Sequence, residues 1–97
     1  MNVKLNYLYR DNSNYKQYGF VVYSNSNNLS IEVIRDAIFK NLIEGEFFNA
    51  EKWGVPEVFF ESNTKDDHEW HELEGVELSN DMPGPKEIDE LLRRFVY

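Results

Sequence analysis

Cysteine is absent from the 97-residue chain. That excludes a disulfide framework, a thiolate metal site and a thiol nucleophile, and it suits the reducing cytoplasm. No apolar run approaches the roughly 18 residues that a membrane helix needs. The opening residues, Met1 to Asn6, lack the apolar core of a secretory leader. The expectation is a cytoplasmic protein with no membrane contact and a single domain spanning 1–97. Glycine and proline are sparse, at five and three. Gly45 and Gly54 stand isolated, so there is no glycine-rich phosphate loop or dinucleotide fingerprint. Basic residues are also few, ten against eighteen acidic ones, for a net charge of −8. A chain so acidic is a poor partner for long nucleic acid, whose affinity comes from neutralised phosphates.

Large apolar side chains are abundant. Aromatics alone make up 15% of the residues, which excludes a disordered chain and supplies a core. The charge is divided unevenly. Residues 1–43 carry a net +2 and residues 44–97 a net −10. Between 57 and 81, nine carboxylates stand against Lys65 alone. One domain polarised in this way presents a negative face. Of the eleven asparagines, five cluster at Asp11–Asn14 and Ser24–Asn28, where Asx side chains favour turns.

Val3, Leu5, Tyr7 and Tyr9 alternate with polar residues, the period of a half-buried strand. Tyr18–Ser24 reads as a second strand, joined to the first as a hairpin. Ser30 caps a helix over about 30–43 whose buried stripe is Ile31, Ile34, Ala37, Ile38 and Leu42, with Gly45 as its stop. Phe39 and Ile43 lie off that stripe. They either widen the core face or form an exposed pair. The aromatic-rich connector 46–54 holds one helical turn capped by Asn49. Val55–Glu61 is expected as a third strand, with Pro56 near its start. After a polar turn at Ser62–Asp67, His68–Leu78 is expected as a fourth strand with a bulge at Gly75, where the alternation slips. Pro85 is placed at the first position of a final helix over about 85–95, with Ile88, Leu91, Leu92 and Phe95 inward. The fold class is α+β, in the order ββαββα. A four-stranded, mainly antiparallel sheet carries both helices on one face.

Three groups of residues carry a resemblance. They are Asn6-Tyr7-Leu8-Tyr9-Arg10-Asp11 with Asn14-Tyr15-Lys16, then Gly45-Glu46-Phe47-Phe48 with Glu51-Lys52-Trp53-Gly54-Val55-Pro56, and Asp67-His68 with Trp70-His71-Glu72. Together they make the chain similar to a group of small, acidic, uncharacterised proteins of bacterial and phage genomes. That group has no established activity, so the resemblance implies no catalytic residue. It implies a setting of phage–host conflict by association alone.

The most chemical-looking stretch is Asp66-Asp67-His68-Glu69-Trp70-His71-Glu72. A metalloprotease helix sets its histidines four apart with a glutamate between them. Here they are three apart on an expected strand, so they point to opposite faces. The expectation is no metal, no cofactor and no catalytic residue. Three functional readings remain. In the first, a non-catalytic acidic protein blocks a basic surface on a partner, as an inhibitor, immunity protein, antitoxin or phage anti-defence protein does. Its contact residues would be Glu61, Asp66, Asp67, Glu69, Trp70, Glu72 and Glu74. The partner could be a nuclease, a toxin or a nucleic-acid-binding protein. In the second, a small ligand such as a nucleotide is bound or sequestered, in a homo-oligomer if one forms. Arg10 and Lys16 would supply charge, and Tyr15, Tyr23 and Trp53 exposed rings. The third is a metal-dependent hydrolase centred on His68 and His71.

Overall fold

Alternation in the first strand sets the whole architecture. In the computed structural model, which describes residues 1–11, 13–58 and 70–95, β1 (Asn2–Arg10) lies inside the sheet with partners on both sides. It pairs antiparallel with β2 (Lys16–Tyr23) on one side and with β4 (Trp70–Ser79) on the other. A three-residue strand, β3 (Phe47–Asn49), pairs antiparallel with the start of β4, so the sheet order is β2-β1-β4-β3. Three helices accompany the sheet among the described residues: α1 (Ile31–Lys40), α2 (Ala50–Trp53) and α3 (Ile88–Arg94). The fold is α+β with a four-stranded antiparallel sheet, as the residue pattern predicts.

The β1–β2 hairpin closes on an Asx turn. The Asp11 carboxylate accepts the backbone N–H groups of Ser13 and Tyr15, and Asn14 takes the left-handed conformation. Ser30 caps α1 by accepting the Val33 N–H. The helix stops earlier than Gly45, at the Asn41 cap. The Asn41 side chain donates to the Ala37 carbonyl, one of the helix's open acceptors. Gly45 instead serves the following turn, where φ is +73°. Phe39 and Ile43 are exposed, so the core stripe is the narrower of the two widths that the sequence allows. Asn49 caps the single turn of α2 as expected, and Gly54 ends it in the left-handed conformation. At the C-terminal end, helical geometry starts at Ile88 rather than at Pro85. Residues 84–88 are held extended against the end of β2. The Gly84 N–H donates to the Val22 carbonyl, the Ser24 N–H to the Lys86 carbonyl and the Ile88 N–H to the Ser24 carbonyl.

The helices share one face of the sheet. Ile34 and Ile38 of α1 and Ile88 and Leu91 of α3 belong to one buried cluster with Val3, Leu5, Tyr7, Tyr23, Phe48 and Val76. The expected bulge supplies the register. Asn6 opposes Gly75 and Tyr7 opposes Leu73, so Glu74 is the extra residue. This slip turns Leu73 and His71 toward the same face as Val76.

The third strand is a correction. Val55–Val58 forms no strand, and the sheet's fourth member comes from Phe47–Asn49. The reason lies in where the backbone groups go. The Tyr7 hydroxyl donates to the Pro56 carbonyl at 2.6 Å, and the Val58 N–H donates to His71 Nε2 at 3.2 Å. Two buried side chains satisfy groups that a ladder would otherwise have to pair. The rest of the expected third strand (59–61), the turn at 62–67 and His68 lie outside the described residues.

Candidate binding surface

Opposite the helices, the alternate residues of each strand form a second face. Tyr18 and Phe20 of β2 stand on it at 57% and 58% exposure. Leu8, between Tyr18 and Glu72 in the register, is its buried apolar centre. Trp70, exposed at the start of β4, and half-buried Phe47 of β3 extend it to the other edge. The same face carries Lys4, Asn6, Arg10, Glu72 and Glu77.

Among the described residues, two of its three cations, Arg10 and Lys4, are engaged in ion pairs, while the third, Lys16, stands exposed opposite Arg10. Arg10 Nε lies 2.9 Å from Glu72 Oε2, and its other guanidinium nitrogens reach Glu72 Oε1 and Asn14 Oδ1. Lys4 Nζ lies 3.0 Å from Asp81 and 4.5 Å from the centre of the Phe20 ring, a cation–π contact. The Lys4 ammonium holds the Asp81 carboxyl below its usual range, through the hydrogen bond first and the charge second. Glu72 acts likewise on Arg10, raising the guanidinium further. Among the described residues, Glu74 and Glu77 make no ion pair with any lysine or arginine, and Glu77 accepts only from Asn6. The face therefore presents aromatic rings among charges of both signs, with Glu74 and Glu77 outside its ion pairs.

The residues expected to bind a partner divide into two groups. Trp70, Glu72 and Glu74 lie on this face or at its bulge. Glu61, Asp66, Asp67 and Glu69 lie outside the described residues. Of the ligand-binding alternatives, Tyr15 and Lys16 are exposed at the hairpin turn, while Arg10 is tied to Glu72.

Tyr23 and Trp53 are corrections. Both are buried, at 1% and 7% exposure, and neither is an open ring. Tyr23 lies on the helix-bearing side, because its strand position has the same parity as Val21 and Gly19. Trp53 stacks on Phe48 at 4.3 Å between ring centres and meets Phe95 edge-on at 5.0 Å. Its edge lines a cleft with Asn41, Lys52, Arg94 and Phe95, where the C-terminal ends of all three helices converge. The Arg94 guanidinium there serves a helix carbonyl: Nη1 donates to the Lys52 carbonyl at 3.2 Å.

His71 is fully buried among Tyr7, Tyr9 and Phe48, with Nε2 accepting from Val58. Sequence reasoning missed Tyr18 and Phe20, whose strand alternation reads equally well as core. The signal that separates them is Gly19, which sits between them and opposite the large Tyr7. A side chain at 19 would collide with Val58, so the inner face at that point is already full.

No family model, curated protein or solved structure matches the chain.

Proposed function

We propose that this chain is a non-catalytic binding protein that covers a basic surface on a partner protein. It would act as an inhibitor, immunity protein or antitoxin does, in the phage–host setting that its resemblance suggests. The observation that carries the reading is the helix-free face. Tyr18, Phe20 and Trp70 are exposed there, Arg10 and Lys4 are spent on ion pairs with Glu72 and Asp81, and Glu74 and Glu77 make no ion pair with a lysine or arginine among the described residues. Exposed aromatics at such a face supply anchor contacts, and unpaired carboxylates supply steering toward a cationic partner. The sequence adds Glu57, Glu61, Asp66, Asp67 and Glu69 between 57 and 69. The nucleotide reading is weaker, because Arg10 would have to leave Glu72 before it could meet a phosphate.

The test begins with a partner captured from the source cell's lysate and then measured in isolation. Reversing Glu74 and Glu77 to Lys, or Asp66, Asp67 and Glu69 to Lys, should weaken binding at least about tenfold, or roughly 1.4 kcal/mol. Wild-type association should slow as salt rises from about 50 to 500 mM, because the Debye length contracts. A Trp70→Ala variant should dissociate faster with little change in association rate. If Tyr15→Ala with Lys16→Glu abolishes binding while both acidic reversals are silent, the protein-masking reading is wrong and a nucleotide site at the hairpin takes its place.

A further inference from the structure

A second concavity lies at the β2 edge of the sheet, and none of its described lining residues is one of the charged residues of the helix-free face. Where β2 ends, residues 54–56 and 84–86 enclose a cleft of about 390 Å³ together with Val21 and Val22. A cleft of that size suits a small ligand. Its walls are apolar, formed by Val21, Val22, Val55, Pro56 and Pro85. The proline residues bring no N–H groups to it. The Val22 carbonyl at its edge is occupied by the Gly84 N–H at 2.9 Å. The Gly54 carbonyl is occupied by Lys86 Nζ at 3.0 Å. Lys86 is the one charged side chain among the described lining residues. Its ammonium has three hydrogens, so two remain after the bond to Gly54.

We propose that this cleft binds a small apolar monocarboxylate, its chain against the valines and prolines and its carboxylate on Lys86. The bond to Gly54 fixes the ammonium in place before a ligand arrives, which lowers the ordering cost of binding. The chain's net charge of −8 opposes an anion at long range. At physiological salt that repulsion is screened beyond about 8 Å, whereas the contact with Lys86 is direct. The apolar walls favour a ligand with a hydrocarbon body over a free inorganic anion.

The test uses the intact chain, labelled with nitrogen-15 and titrated separately with hexanoate, octanoate, octanol and octylamine. Octanoate should give saturable amide shifts at Val22, Gly54, Val55, Gly84 and Lys86. Each added methylene should tighten binding roughly fourfold. Octanol should bind at least about tenfold more weakly than octanoate, from loss of the charge-assisted bond. Lys86→Met should bring octanoate and octanol to equal affinity while leaving the remaining amide spectrum in place. The proposal is overturned if octanoate shifts map elsewhere or do not saturate, if octanol or octylamine matches octanoate on the wild type, or if Lys86→Met retains the preference for carboxylate. Because these readouts do not involve a protein partner, they stand or fall apart from the acidic-surface reading.

Discussion

His71 and Tyr7 bind the segment at 56–58 to the sheet through one side-chain hydrogen bond each. Removing the His71 acceptor strands the part-buried Val58 N–H. Replacing His71 with Leu should therefore cost roughly 1–3 kcal/mol in urea unfolding. Gln, which keeps an acceptor, should cost less. Tyr7 also makes the fold sensitive to alkali. Burial raises its phenol from the ordinary 10 to about 12, and burial first, then the neighbouring Tyr7, raises Tyr23 further still. Folding thus favours the neutral phenols. Their contribution is intact below the unfolded phenol's value near 10 and is lost as pH climbs toward the folded value of about 12. Alkaline titration followed by circular dichroism and by tyrosinate absorbance should show unfolding in that window. Tyr7→Phe should move the transition to higher pH even though it lowers stability at pH 7.

At the scale of elements, β4 is the strand whose register matters most, because a slip of one residue exchanges its two faces. The extra residue at Glu74 absorbs a break in the sequence's alternation and keeps Leu73 and His71 inward. Deleting Glu74 should leave a regular ladder with the same residues inside. Deleting Glu72 should carry His71 to the outer face and Trp70 to the inner one. The second deletion should be the more destabilising by at least about 2 kcal/mol in thermal or denaturant unfolding. Similar values for the two would mean that the bulge does not set the register. In α1, the fully buried Ile38 packs between sheet and α3. Truncation to Ala should cost roughly 2–5 kcal/mol. The same change at exposed Val33, on the same helix, should cost well under that. The turn of α2 depends on Gly54, where φ is +71° and an added Cβ would lie 2.8 Å from the Arg94 guanidinium. Gly54→Ala meets both the backbone penalty and that contact.

For the molecule as a whole, charge and fold are nearly independent. The sheet and its helices are held by one apolar cluster, while Glu74 and Glu77 stand exposed and outside the ion pairs among the described residues. Reversing Glu74 and Glu77 to Lys should therefore change unfolding free energy by no more than about half a kcal/mol. The same reversal should change association rates with a basic partner severalfold or more. A large loss of stability on this reversal would mean that these carboxylates are structural. Two surfaces then coexist on one domain. One is a sheet face of exposed aromatic rings among charges of both signs, and the other is a small apolar cleft lined by Lys86.

The residue pattern alone determined the α+β class, the first hairpin, the Ser30 and Asn49 caps, the inward stripes of α1 and α3 and the slip near Gly75. Each depends on neighbours a few residues apart, where periodicity and turn chemistry act. Tertiary structure decided the rest. Val55–Val58 has the composition of a strand, yet Tyr7 and His71 claim its backbone groups, and that competition comes from residues 49 and 13 positions away. Tyr23 and Trp53 look like accessible rings until the parity of β2 and the packing of Phe48 and Phe95 enclose them. Tyr18 and Phe20 emerge as surface only because Tyr7 and Val58 fill the space around Gly19. Arg10 and Glu72 belong to separate binding hypotheses in the sequence, 62 residues apart, and become one ion pair when β1 meets β4. Which of a strand's two faces is buried is a property of its partners, and partners distant in sequence are chosen only when the chain folds.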